Sequence, residues 1–177
     1  MQPKTQIPTT PEQAQAIRSA VRAATHIMPP YGNLDLACAA DVPEILTLLQ
    51  DERVSGDVYT LPRPFSFESV SAYIKDHQQQ ARAGEGLLMC SRDAAGQIIS
   101  IVDFQFWLES SACEFGGVIA YEHQSKSIGT QGIKQLCAWT FEVIGINLLA
   151  MTTSLENIRS QKMLVRLGLS RWARWKA

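Results

Sequence analysis

Gln124-Ser125-Lys126-Ser127-Ile128-Gly129-Thr130 stands between a strand-like run, Cys113 to Tyr121, and a helical run, Ile128 to Ile144. The helical run carries apolar residues at Ile133, Leu136, Cys137, Phe141 and Ile144. A strand that enters a helix through a short polar loop leaves backbone N–H groups without intrahelical partners, and the helix dipole adds partial positive charge at the same place. Such a place suits a phosphate or pyrophosphate. Ser125, Ser127 and Gly129 are small enough to let an anion approach the backbone, and Lys126 brings a positive charge. The same residues also fit an ordinary capped helix start, and the loop alone does not choose between the two readings.

Upstream of the loop, Leu87 to Ser91 is a short strand and Asp93-Ala94-Ala95-Gly96 a turn. Ile98 to Leu108 follows as a long strand rich in β-branched and aromatic residues, and Glu109-Ser110-Ser111 returns the chain into Cys113–Tyr121 as a hairpin. Gly116-Gly117 inside the return strand indicates a bulge or the close approach of another group to the backbone. Further back, Leu34 to Cys38 alternates like a first strand. Asp41-Val42-Pro43-Glu44 opens a helix with Ile45, Leu46, Leu48 and Leu49, and residues 51–65 have no steady period and read as loop. Ser66 caps a second helix through about Ala83, stopped by Gly84 and Gly86. Within it His77 lies in a polar stretch and reads as a surface residue.

Downstream, Gly145 stops the helix that the loop opens. Ile146 to Thr153 reads as a strand apolar on both faces and therefore buried. Asn157 caps a helix closed by Gly168, and Leu169 to Trp175 reads as a last strand. At the other end, Thr10-Pro11 starts a helix with a thin apolar stripe, Ala14, Ile17, Val21 and Ala24, which needs the domain or a partner to pack on. Residues 1–32 thus read as an N-terminal extension and residues 33–177 as a single domain. The fold class is α/β (α+β), a mixed central sheet with helices on both faces.

Composition limits the function. A hydrophobic fraction of 46% and a charged fraction of 19% are those of a globular protein with a real core. A net charge of −1 argues against nucleic-acid binding by phosphate neutralisation. Cys38, Cys90, Cys113 and Cys137 are far apart, with neither a metal-ligand spacing nor a disulfide framework, which points to reduced thiols in a cytoplasmic setting and to no metal. No apolar run has the length of a membrane span.

The order of elements, the loop at 124–130 and the segment Asn157-x-x-Ser160…Leu167-Gly168-Leu169 resemble the GNAT acetyltransferase superfamily, and within it the RimJ/RimL-like group. The resemblance covers about residues 34–172. Of the family's Gln/Arg-x-x-Gly-x-Gly/Ala phosphate loop, Gln124, Ile128 and Gly129 fit, while Ser127 stands at the first glycine. Glu114-Phe115-Gly116 resembles the family's Glu-hydrophobic-Gly, and Ala120-Tyr121-Glu122 stands where Ala-Pro-Glu is usual. The chain ends soon after its sixth strand, where the family has a seventh.

The resemblance implies splayed fourth and fifth strands that form a coenzyme A cleft, acetyl-CoA as co-substrate, and a primary amine, either a protein N-terminus or a small amine, as acceptor. Gln124, Ser125, Lys126, Ser127, Ile128, Gly129 and Thr130 then hold the pyrophosphate. Val118, Ile119 and Ala120 pair with the peptide-like pantetheine arm, which Asn157 holds from the other side. Direct attack by the amine needs a base and a donor to the leaving thiolate, roles that fall to Glu114 and Ser160. Leu164 occupies the place where related enzymes carry a tyrosine acid. Each assignment has a plainer counterpart: Glu114 as a solvated strand residue, Asn157 as an N-cap only, Ser160 as a first-turn helix residue. Phe104, Phe106 and Trp107 fit either an acceptor cleft or the core. Cys113, with no histidine beside it, is not expected to carry an acyl group. The alternative function is a catalytically weakened GNAT-fold module for coenzyme A binding or interaction. The missing seventh strand and the apolar stripe of the first helix point to a homodimer.

Overall fold

The computed structural model describes residues 9–56, 58, 60–124 and 128–170. Thr10 and Pro11 start α1 (Pro11–Ala23): the threonine hydroxyl accepts the N–H of Gln13, and the proline sits in the first turn, where its missing N–H is no loss. Ile17 and Val21 are buried in the same core as the sheet, so the apolar stripe finds its partner within the chain. Two short strands follow, β1 (His26–Ile27) and β2 (Leu34–Leu36), paired antiparallel. A two-residue strand is too short for an alternation, and the sequence reading did not contain β1.

Two helices and a single turn come next. The helix α2 (Val42–Gln50) and the turn α3 (Glu52–Ser55) precede α4 (Phe67–Ala83). The turn α3 forms inside the stretch read as loop, because the Asp51 carboxylate accepts the N–H of Arg53 and nucleates it. The ends of α4 are those the sequence predicts: Ser66 accepts the N–H of Ser69, and Gly84 adopts a left-handed φ of 74° at the C-cap.

The strands β3 (Gly86–Arg92), β4 (Ile98–Trp107) and β5 (Ala112–Ile119) form an antiparallel meander. The helix α5 (Ile128–Trp139) continues into a π-helical turn, Thr140–Ile144. Then come β6 (Leu148–Ala150) and α6 (Ile158–Arg166). Among the described residues the sheet order is β1-β2-β3-β4-β5-β6, with only β5 and β6 parallel. It is the expected mixed sheet with helices on both faces.

The C-terminal part differs from expectation. The buried strand read over Ile146–Thr153 is only Leu148–Ala150, and all three residues are half-buried; α6 contributes no buried residue to a core that could cover them. Leu169 and Ser170 are irregular, and residues 171–175 of the expected last strand lie outside the described residues.

The two faces of the sheet carry separate cores. Leu87, Met89, Phe104, Phe106, Cys113 and Phe115 pack with α1 and α5. Phe104, fully buried, lies with its ring centroid 5.1 Å from Phe115 and 5.4 Å from Trp139. Phe104 and Phe106 therefore belong to the core and not to a cleft. On the other face, Leu88, Cys90, Ile101 and Val118 pack with α2, α3 and α4.

Candidate active site

The site begins where β5 outruns its neighbour. Ala112, Cys113 and Glu114 pair with Leu148, Leu149 and Ala150, after which β6 stops while β5 continues to Ile119. Beyond Glu114 the strand is held by β4 alone among the described residues, so its other edge is free of a strand. This is the splay between the strands that was expected around Val118–Ala120. At its far end Ala120 donates its N–H to the carbonyl of Ile99 on the β4 side (2.8 Å), and the Ile119 carbonyl accepts from Nε2 of Gln124 (3.0 Å). Val118 turns its side chain into the α2–α4 core.

The two glycines have different reasons to be there. A Cβ on Gly117 would collide with the carbonyl oxygen of Ile101 and come within 3.1 Å of Val102 Cα, so β4 and β5 approach too closely there for any other residue. A Cβ on Gly116 would meet nothing within 4 Å, and this position is exposed. Gly117 thus serves the sheet, and Gly116 leaves open space above it.

Glu114 stands at the root of the splay. It pairs with Gln105 on β4 and Ala150 on β6, is half-buried, and accepts a hydrogen bond from the Thr152 hydroxyl through Oε1 (2.7 Å). Asn157 caps α6 with Oδ1 on the N–H of Ser160 (3.0 Å), so its capping role is real, and its amide nitrogen is not used in that bond. Ser160 lies in the first turn of α6, and no hydrogen bond joins it to Glu114 among the described residues.

At the loop, Gln124 is a bridge. It donates to Ile119, and its Oε1 accepts from Arg159 of α6 (2.9 Å), which ties the end of β5 to the last helix across the splay. Ser125, Lys126 and Ser127 lie outside the described residues. Ile128 opens α5, Thr130 is exposed, and Gly129 sits so close to β5 that a Cβ would come 3.2 Å from Ile119 Cδ1. The first turn of α5 therefore abuts the strand end, and its N–H groups, which have no partners within the helix, lie near the open edge.

Several site features were not read from the sequence. Thr152 and Arg159 carry no motif that singles them out. His77 is the clearest correction: it is only 4% exposed, not a surface residue. Its Nδ1 is 2.9 Å from the carbonyl oxygen of Tyr73, its Nε2 is 3.0 Å from Oδ1 of Asp103, and the Tyr73 hydroxyl donates to the other Asp103 oxygen (2.9 Å). A carbonyl and a carboxylate only accept, so proton positions assigned from these partners put a proton on both ring nitrogens. Burial acts to lower the His77 pKa, but the hydrogen bond and charge of Asp103, the Tyr73 carbonyl and the charge of Asp76 outweigh it, and the pKa is raised. Burial and the neighbouring Asp103 push Tyr73 up as well. Asp103 within the apolar run Ile101-Val102-Asp103-Phe104 was the sequence signal that was available.

The Cys113 thiol is buried, and burial raises its pKa well above the usual thiol value, with the charge of Glu114 adding to the effect. It stays protonated and is a poor nucleophile. A cleft of about 420 Å³ opens between α2 and the end of β5, lined among others by Thr47, Leu48, Ala120 and Tyr121, and does not include Glu114.

Residues 33–170 match the family model described as an acetyltransferase (GNAT) domain. Solved structures with the same fold include a ribosomal-protein alanine acetyltransferase from Vibrio fischeri, at 17% identity and a TM-score of 0.65, covering 81% of each chain. Another is a variant of the spermidine N-acetyltransferase SpeG from Vibrio cholerae, at 18% identity and a TM-score of 0.64, covering 79% of this chain and 80% of that one. A third is RimL, a ribosomal alpha-N-protein acetyltransferase, at 15% identity and a TM-score of 0.64, covering 76% of this chain and 74% of that one. No curated protein matches the sequence. At these identities the solved structures speak for the fold, and the domain match, which spans most of the chain, speaks for the family: the protein belongs to the GNAT acetyltransferases.

Proposed function

We propose that the protein transfers an acetyl group from acetyl-CoA to a primary amine, by direct attack in a complex that holds both. The observation that carries this reading is the open edge of β5, which runs from the Glu114 carboxylate at one end to Ile119 at the other, where the first turn of α5 lies against it. The free edge of β5 between Glu114 and Ile119 suits the amides of a pantetheine arm. Asn157 faces the arm with its amide. The first turn of α5, pressed against Ile119, offers N–H groups to a pyrophosphate, with Gln124, Gly129 and Thr130 around it.

In the reaction the amine nitrogen forms a bond to the thioester carbonyl carbon, and the carbon–sulfur bond breaks. Glu114 takes the proton that leaves the nitrogen, and Ser160 donates to the departing thiolate. An α-amino group, with a pKa near ~8, is already partly neutral at cytoplasmic pH, so a modest base suffices. Thr152 holds one oxygen of Glu114, which fixes the direction in which the carboxylate presents its other oxygen.

The homodimer and the cytoplasmic setting belong to the same proposal. No described strand pairs with β6 on the side away from β5, and Ile158 (53% exposed) and Val165 (66%) lie open on α6. Since the stripe of α1 is satisfied internally, a second copy would meet this end of the molecule. All four cysteines are unpaired, as reduced conditions require.

The test is Glu114→Gln, which keeps the shape and removes the basicity. We expect kcat/KM for acetyl transfer to an alanyl tripeptide to fall by roughly 10²–10⁴ at neutral pH, with the loss shrinking as pH rises and the amine is neutral without help. A small loss of equal size at every pH would remove Glu114 as the base.

A further inference from the structure

Helix α4 buries Val70, Ile74 and Ala81 against the sheet, yet on the same side it presents Tyr73, His77 and Gln80, spaced by four and three residues. These polar groups meet a polar stripe on β4: Tyr73 and His77 hold Asp103, and the Gln80 Oε1 accepts from Nε2 of Gln105 (2.6 Å). The stripe continues onto β5, where Gln105 pairs with Glu114 and Asp103 pairs with Gly116. Stability alone does not call for this arrangement, because a buried ion pair is commonly matched or exceeded by an apolar seam of the same volume.

The arrangement does hold one carboxylate in place and partly open. Each oxygen of Asp103 accepts one bond from α4 and keeps capacity for another, and the side chain is 28% exposed. The pairing partner of Asp103 is Gly116, whose open space no side chain fills. Glu114 lies two residues from Gly116 on the same face of the same strand, so Asp103 and Glu114 are diagonal neighbours about 7–8 Å apart. The floor between them is bounded by two carboxylates. His77 balances one of them, and Glu114 has a hydroxyl and no ion pair among the described residues.

We propose that Asp103 is an acceptor-binding residue: held by His77 and Tyr73, its carboxylate takes a second, protonated amino group of the acceptor while the reacting amine stands at Glu114. This rests on the acetyl-transfer reading and adds to it a substrate class, short amines that carry a second positive charge. His77 and Tyr73 are positioning residues, since they reach the acceptor only through Asp103.

The experiment compares propane-1,3-diamine with propylamine as acceptors, using acetyl-CoA and following thiol release. The native protein should favour the diamine by about tenfold or more in kcat/KM, chiefly through KM. Asp103→Asn should remove that preference while leaving propylamine turnover within severalfold. Gly116→Lys touches neither His77 nor Tyr73, and it should abolish the preference by placing a cation over the same floor. Equal losses on both amines in Asp103→Asn, together with an unchanged preference in Gly116→Lys, would make Asp103 purely structural. If Asp103→Asn fails to fold, the preference in Gly116→Lys decides alone. Acetylation of an alanyl tripeptide but of neither amine overturns the second-charge site and leaves acetyl transfer standing. Absence of both turnover and acetyl-CoA binding removes both readings.

Discussion

The two faces of the β4–β5 hairpin are built from the same residues in alternation, yet they differ in kind. The face toward α1 and α5 is apolar along its length, with Phe104, Phe106, Cys113 and Phe115 all buried. The face toward α2–α4 changes character along the strands: Ile101 and Val118 are core at one end, Asp103 and Gly116 follow, and Gln105 and Glu114 lie at the other end. One face can therefore be disturbed only at the expense of the fold. The other carries polar groups where the sheet opens, and it can change chemistry with less effect on stability.

The sharpest way to break this contrast is Phe104→Ala. The ring touches Phe106, Phe115 and Trp139 and has no exposed surface, so its removal should leave a cavity and cost about 3–5 kcal/mol. Thermal unfolding reads the loss. The fraction that remains folded should keep its acetyl-transfer kinetics within severalfold. If instead stability is hardly changed, the aromatic face is looser than the packing shows.

Next in size is the pair Gly117→Ala and Gly116→Ala. The first forces a methyl into the carbonyl of Ile101, which is backbone and cannot rotate away, and the expected cost is about 1–3 kcal/mol. The second meets nothing, and its effect on stability should stay within about 0.5 kcal/mol. Equal effects at the two positions would mean that the strands relax around Gly117.

These glycines also show how far the sequence was legible. Their pairing in a strand announced either a bulge or a close approach, but not which glycine served which purpose, because that depends on β4. Local signals were dependable where a residue acts on its own backbone: Thr10, Ser66 and Asn157 cap the helices that they were expected to cap, and Gly84 ends one. Family resemblance placed a splay near Val118–Ala120, and the pairing with β6 ends earlier, at Glu114, which the sequence did not indicate. Contacts between distant segments were not legible. The helical run around His77 is polar in sequence, and nothing local says that Asp103, 26 residues on, will bury the imidazole. β6 misled in the opposite direction, since apolar residues on both faces promise burial, but α6 packs too loosely to provide it.

The smallest expected effect is on a slope, not on a midpoint, and it belongs to the polar face. His77 is held as an imidazolium between Asp103 and the Tyr73 carbonyl, with Asp76 nearby, and its pKa in the folded protein lies above the ordinary histidine value of about 6.5. A group with a raised folded pKa binds its proton more tightly in the native state. Its contribution to stability is therefore complete below about pH 6.5 and fades as pH rises through the raised native value. Replacing His77 by Gln should then cost more at pH 6 than at pH 9, as read from urea unfolding at both values. Phe104→Ala, on the apolar face, should cost the same at both. If the His77→Gln penalty does not change with pH, the imidazole is neutral in the folded protein, and the Asp103 carboxylate faces Gly116 without a balancing charge.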